Sequence, residues 1–198
     1  MKVLITGSRG MVGRNVAENC PHKEFNLLTP TRAELDLLDA QSVRLYIQQH
    51  QPDAVIHAAG LVGGIQGNIN RPVDFMVQNF DIGRNVIMAA REIGVPRLIN
   101  MASSCMYPRN YERPLCEEDI LMGELEPTNE GYAIAKIAMT RLCEYIHREN
   151  ESLLYKTIIP CNLYGRYDKY DLVSSHLVPA AIRKVVDAHT EGRDTVEI

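Results

Sequence analysis

The 198-residue sequence contains no apolar run near the roughly 18 residues that a membrane-spanning helix needs, so no transmembrane role is expected. It also lacks any Lys/Arg block. With a formal net charge of -4, the main partner is not expected to be a nucleic acid or an anionic membrane surface, and any cationic function must be local. The five cysteines (Cys20, Cys105, Cys116, Cys143 and Cys161) are odd in number and scattered, with no CxxC pair and no histidine at metal-ligand spacing. Reduced thiols are expected, and no metal site. Internal repeats and low-complexity segments are absent too. The opening MKVLITGSRG runs directly into a strand and a glycine-rich turn rather than an apolar leader, which gives the expectation of a cytoplasmic protein. What is present is ordinary globular composition: 45% hydrophobic and 23% charged residues, enough to build a large core.

Short β-rich apolar runs alternate with longer helical patterns, the order that builds βαβ units and a parallel sheet. Strands are expected at 2–6, about 25–28, 54–59, 97–101 and 156–159. Helices are expected to about residue 19, then over 40–49, 72–93, 130–149 and 176–188. Asp39 is placed to cap the second helix, and Gly94 with Pro96 to stop the third. Residues 103–129 read as one long loop, and loops of that length in compact domains are usually functional or mobile.

The turn between the first strand and first helix is Thr6-Gly7-Ser8-Arg9-Gly10-Met11-Val12-Gly13, a GxxGxxG pattern. Glycine there permits the backbone angles of the turn and close approach of a pyrophosphate, and the helix N-terminus supplies free N–H groups. The spacing is similar to that of extended short-chain dehydrogenases/reductases, and it implies a Rossmann-like doubly wound α/β fold. At the end of the second strand the chain reads Leu28-Thr29-Pro30-Thr31-Arg32, with a basic residue where NAD enzymes usually hold an acid. Arg32 and Arg9 together favour NADP, because a guanidinium binds a 2'-phosphate bidentately. The alternative is that Arg32 pairs with Glu34 or Asp36 on the surface.

Tyr132 and Lys136 stand one helical turn apart, so phenol and ammonium share a face. A nearby cation is expected to lower the phenol pKa toward a useful range. YxxxK alone is a weak signal; its order along the chain strengthens it. Ser103 and Ser104 follow the strand at 97–101, at the carboxyl edge where doubly wound folds hold ligands, and a serine there can donate to a carbonyl oxygen that Tyr132 protonates. Together the three make a site for hydride transfer.

The segments Ser103-Ser104-Cys105-Met106-Tyr107-Pro108, Leu125-Glu126-Pro127-Thr128-Asn129-Glu130-Gly131-Tyr132-Ala133-Ile134-Ala135-Lys136, Asn162-Leu163-Tyr164-Gly165 and Ser175-His176-Leu177-Val178-Pro179 resemble the GDP-L-fucose synthase (epimerase-reductase) family over nearly the whole chain. The resemblance implies that Cys105 and His176 form an acid/base pair for epimerisation at C3 and C5 of a GDP-4-keto-6-deoxysugar. NADPH would then reduce C4, with Ser103 and Tyr132 at its oxygen and Lys136 on the nicotinamide ribose. By residue type alone, Cys105 would be a small buried hydrophobe and His176 a surface residue at a helix start. The resemblance further places Ala58, Ala59, Asn162 and Leu163 at the cofactor and Lys184 at the nucleotide diphosphate; Lys184 reads equally well as a solvated helix lysine. A related enzyme of the colitose type is the alternative within the family, and a non-catalytic NADP-binding module the alternative outside it.

The expected organisation is an NADP-binding Rossmann-like domain over 1–165 and an incomplete substrate-binding part over 166–198. Family members extend further, so the expectation is that this polypeptide alone binds NADPH but turns over sugar poorly. The helices at 72–93 and 130–149 carry more apolar residues than one sheet contact uses. That second apolar face must be covered, and the resemblance implies a homodimer in which these two helices of each subunit form a four-helix bundle; the alternative is burial under the long loop.

Overall fold

A computed structural model describes residues 1–21, 24–171 and 175–196. Five parallel strands, β1 (Lys2–Thr6), β2 (Asn26–Leu28), β3 (Ala54–His57), β4 (Arg97–Met101) and β5 (Leu154–Ile158), lie in the order β2-β1-β3-β4-β5. The connections run outward in both directions from β1 and β3. That reversal opens a crevice beyond their carboxyl ends, where doubly wound sheets bind ligands. The expected α/β fold is thus the observed one. The central strands are continuous apolar runs because helices cover both faces; Leu4, Ile5, Val55 and Leu98 are fully buried.

The described residues also form six α-helices: α1 (Met11–Asn19), α2 (Ala40–His50), α3 (Ile65–Asn70), α4 (Pro72–Ile93), α5 (Glu130–Glu149) and α6 (Leu177–Thr190). Asp39 caps α2 by accepting from the amides of Gln41 and Ser42. Proline occupies the first turn of α4. Gly94 ends that helix at φ 80°, a left-handed position glycine takes without strain. Gly83 lets α4 and α5 pack closely: a Cβ there would lie 2.6 Å from Met139.

Several elements differ from the sequence reading: β3 ends at His57 rather than 59, and α6 runs Leu177–Thr190 rather than 176–188. β5 begins at Leu154 rather than Lys156, because the backbone N–H of Leu154 already pairs with the Pro96 carbonyl at the edge of the sheet. α3 is an additional short helix whose Gly-bearing sequence has no apolar period. The segment 103–129 is built rather than open: it contains 3-10 turns at Ser104–Met106 and Glu117–Asp119. Met106, Ile120 and Leu125 from it form a small core with Ala133 and Ile137 of α5. The buried Asp119 carboxylate braces it, accepting from Arg113, Tyr111 and the Cys116 amide. These bonds, the Cys116 amide foremost, hold Asp119 below the usual carboxylate range.

Candidate active site

The glycine-rich turn follows β1 directly. Gly7 has φ 72°, and a Cβ on it would stand 2.7 Å from the Ala59 amide, so the turn and the strand-end loop after β3 approach as closely as glycine allows. A Cβ on Gly13 would collide with the Gly7 carbonyl. No side chain caps α1 at Gly10, which leaves its first N–H groups facing outward. Between this turn, the segment after β2 and the loop after β3 lies a cleft of about 340 Å³.

Gly7, Arg9, Gly10, Arg32, Ala58 and Ala59 all line that cleft, as the sequence reading expects. Arg9 and Arg32 are exposed, and neither forms an ion pair among the described residues. The pairing of Arg32 with Glu34 is not seen, because Glu34 instead accepts from the amide and hydroxyl of Thr31. Those bonds, with the Arg9 charge, lower its pKa. Met11, Val12 and Gly13 do not line the cleft: the first two are half-buried in the first turn of α1 and Gly13 is buried behind the turn. Asn162 and Leu163 are exposed beyond β5, away from its walls. Leu38 is a cleft residue that the sequence reading passed over, and Asp36, weighed there only as a surface partner of Arg32, is another.

Gly60 joins this cleft to the second group of residues, for a Cβ on it would be 3.6 Å from the Lys136 ammonium. The Lys136 side chain is buried and donates to the Met101 carbonyl at 2.9 Å, tying α5 to the end of β4. Burial lowers its pKa to about 8. Ser103 caps the first 3-10 turn, accepting from the Cys105 amide at 3.3 Å, and its hydroxyl is hydrogen-bonded to Tyr132. Ser103, Cys105, Tyr132 and Lys136 therefore converge at the carboxyl edge of β4.

The expected electrostatics of Tyr132 are overturned. Lys136 does not lower the phenol: burial first, then the charge of Cys105, push Tyr132 up to about 12, against the opposing hydrogen bond from Ser103. The ammonium is turned to Met101 and lies 5.7 Å from the Tyr132 ring centre, so desolvation wins. The phenol is thereby kept protonated, the state of a proton donor.

His176 precedes α6 and is exposed; no hydrogen bond among the described residues joins its ring to Cys105 or Tyr132. Lys184 is half-buried on the same helix. Among the described residues, neither is hydrogen-bonded to the Ser103, Cys105, Tyr132 and Lys136 cluster. Residues 172–174, just before His176, and 197–198 lie outside the described residues.

Three polar residues escaped the sequence reading. Asn79 of α4 accepts from the Leu61 amide and donates to the Leu61 carbonyl, fixing the loop after β3. His57 is fully buried against the Thr6 hydroxyl at 2.8 Å, and burial with the Lys136 charge lowers its pKa to about 3. Asn129 donates from Nδ2 to the Cys105 sulfur at 3.3 Å. Buried polar partners of this kind follow from tertiary placement and have no local sequence signal.

The sheet order, the cleft at its reversal and the clustered Ser, Tyr and Lys define a dinucleotide-dependent enzyme fold of the short-chain type. The chain belongs to the NAD dependent epimerase/dehydratase family, whose pattern matches residues 3–197. It is 50% identical to the GDP-L-colitose synthase of Yersinia pseudotuberculosis and 47% identical to the GDP-L-fucose synthase of Azorhizobium caulinodans. In each case all of this chain is covered, with 64% and 63% of those proteins. Among solved structures, a GDP-L-fucose synthetase of Naegleria fowleri bound to NADP superposes with a TM-score of 0.90 at 28% identity, covering 100% of this chain and 65% of that one. The chain spans just under two thirds of the length of these relatives.

Proposed function

We propose that this chain carries the cofactor site and catalytic edge of an NADPH-dependent epimerase-reductase acting on a GDP-4-keto-deoxysugar, with 1–165 as the NADP-binding domain and 166–198 as part of the substrate-binding region. The observation that carries the reading is the continuity, through Gly60, between the glycine-lined cleft and the Ser103, Cys105, Tyr132 and Lys136 cluster. The residues fit the cofactor. Gly7 and Gly13 leave no room for a Cβ, and Arg9 and Arg32 stand unpaired, among the described residues, at the end where a ribose 2'-phosphate would lie. NADPH supplies the hydride for C4.

The remaining chemistry belongs to the chain. The C4 ketone acidifies the hydrogens at C3 and C5, so the Cys105 thiolate can take a proton from carbon, leaving an enolate. His176 returns a proton on the opposite face; that role rests on family likeness alone. Ser103 then positions the C4 oxygen and Tyr132 gives it a proton as the C–H bond at C4 forms. Lys136 holds the nicotinamide ribose from its place beside Gly60. Lys184 contacts the diphosphate, and Asn162 and Leu163 meet the nicotinamide or sugar. A homodimer through α4 and α5 and a cytoplasmic location complete the reading; no helix among the described residues is long and apolar enough to cross a membrane.

The test is incubation of the chain, extended over the remaining length that its relatives span, with GDP-4-keto-6-deoxy-D-mannose and NADPH, followed at 340 nm with identification of the product. GDP-L-fucose is expected. Likeness to the Yersinia colitose enzyme, at 50% against 47%, favours a second reading with the precursor of GDP-L-colitose as substrate, and parallel assays of the two keto sugars separate them. Oxidation of NADPH with neither would overturn both.

A further inference from the structure

We infer that Asn129 is a positioning residue for Cys105, its amide N–H holding the sulfur as a hydrogen-bond acceptor and so favouring the thiolate. The inference rests on the reading of Cys105 as the proton-abstracting group. Asn129 is the residue before α5, where an asparagine ordinarily accepts from the amides of the first turn. Here it makes no such cap. The side chain is instead turned toward the preceding loop, with Nδ2 3.3 Å from the Cys105 sulfur.

The orientation of the amide is informative. Turned over, it would offer its carbonyl to a thiol S–H, the arrangement that suits an inert cysteine. As it stands, the sulfur receives a donor, while the buried Oδ1 has no hydrogen-bond partner among the described residues. A donor at sulfur stabilises the charged form, and an unpaired buried carbonyl is a cost that this orientation accepts. Tyr132, on the next turn of α5, is the titratable group whose charge couples to Cys105; Ser103 faces it through the Cys105 amide. Lys136 is engaged by Met101, and Glu130 is exposed.

Trypsin releases residues 98–109 as a fragment in which Cys105 is the one cysteine, so its alkylation can be followed alone in the intact chain. Iodoacetamide labelling across a pH series, read by mass spectrometry, gives a rate profile whose midpoint is insensitive to how easily the reagent reaches the sulfur. For Asn129→Ala the midpoint is expected to move to higher pH, with the rate at pH 7 falling about tenfold. For the isosteric Asn129→Asp it should move further, since a carboxylate opposes the thiolate. NADPH binding reports that each variant is folded; should the alanine variant not fold, the aspartate variant carries the test. Midpoints that stay in place or fall would overturn the inference. Solvent deuterium incorporation into the keto sugar, without NADPH, judges the underlying reading separately. Loss of exchange in Cys105→Ser with unmoved Asn129 midpoints leaves Cys105 as the base and removes Asn129. Normal exchange in Cys105→Ser removes the base, whatever the midpoints do.

Discussion

At the level of single residues, burial decides the charge states of the site. Tyr132 is held protonated by desolvation and by its cysteine neighbour, so it suits the donor role better than that of a base. Tyr132→Phe should therefore leave NADPH affinity near wild type and slow reduction at C4 by about 10²–10⁴-fold, read at 340 nm. Unchanged turnover would remove Tyr132 from the chemistry. His57 supplies a stability prediction. Its pKa falls from 6.5 to about 3 on folding, so below pH 6.5 the unfolded chain binds a proton that the folded one refuses. Stability is then lost as pH falls from 6.5 toward 3, by up to about 1.4 kcal/mol per pH unit. His57→Asn, which keeps a polar atom for Thr6, should flatten the dependence of melting temperature on pH between 7 and 5. An equal slope in both proteins would assign the acid sensitivity to other groups.

At the level of elements, the glycine-rich turn is constrained at two glycines and looser at the third. Gly13→Ala should destabilise the fold by about 1–3 kcal/mol despite alanine's better helix propensity, because the new methyl meets a backbone carbonyl that cannot yield. Gly10→Ala meets the same carbonyl at 3.3 Å rather than 2.3 Å and should cost less than Gly13→Ala. Differential scanning calorimetry of the pair would expose the error if they melted alike. Arg32→Asp, at the end of the cleft, should weaken NADPH binding far more than NADH binding in a fluorescence titration; equal loss of both would sink the NADP assignment.

The same turn shows what was legible in the sequence. GxxGxxG between strand and helix carries its own geometry in local residue types. So do α4 and α5, whose bounds follow from Pro72, Gly94 and uninterrupted apolar periods. Their cores were legible for the same reason. The internal order of 103–129 was not, because its stability comes from Asp119 and from Ile120 packing beneath α5, contacts that no short-range pattern encodes. Nor was the direction in which Tyr132 is shifted: spacing puts Lys136 on its face but is silent about the Met101 carbonyl that takes the ammonium. The Ser, Tyr and Lys positions could be read, while the residues that brace them, Asn79 and Asn129, could not.

At the level of the whole molecule, α4 and α5 pack on each other and the sheet yet still expose an apolar face. Val73, Met76, Val77 and Phe80, at helical spacing along α4, are 39–70% exposed, and Ile134 and Tyr145 of α5 add to the surface. Exposed apolar area gathered on one side of a helix pair is what a second copy would cover, and two-fold association is the commonest oligomeric form. The buried partners of the same helices, Phe75, Val86, Ile87 and Ala90, are already used by the core, so the two faces serve separate ends. α6 presents a rival surface through Ile182, Val185 and Val186. Size-exclusion chromatography with light scattering at micromolar concentration should give twice the chain mass. Val77→Glu with Phe80→Asp should halve it, since two carboxylates buried at the centre of a standard interface would have no partner. Val185→Glu on α6 should leave it unchanged. A monomeric wild type would remove the dimer altogether, and dissociation by the α6 change alone would move the interface to that helix.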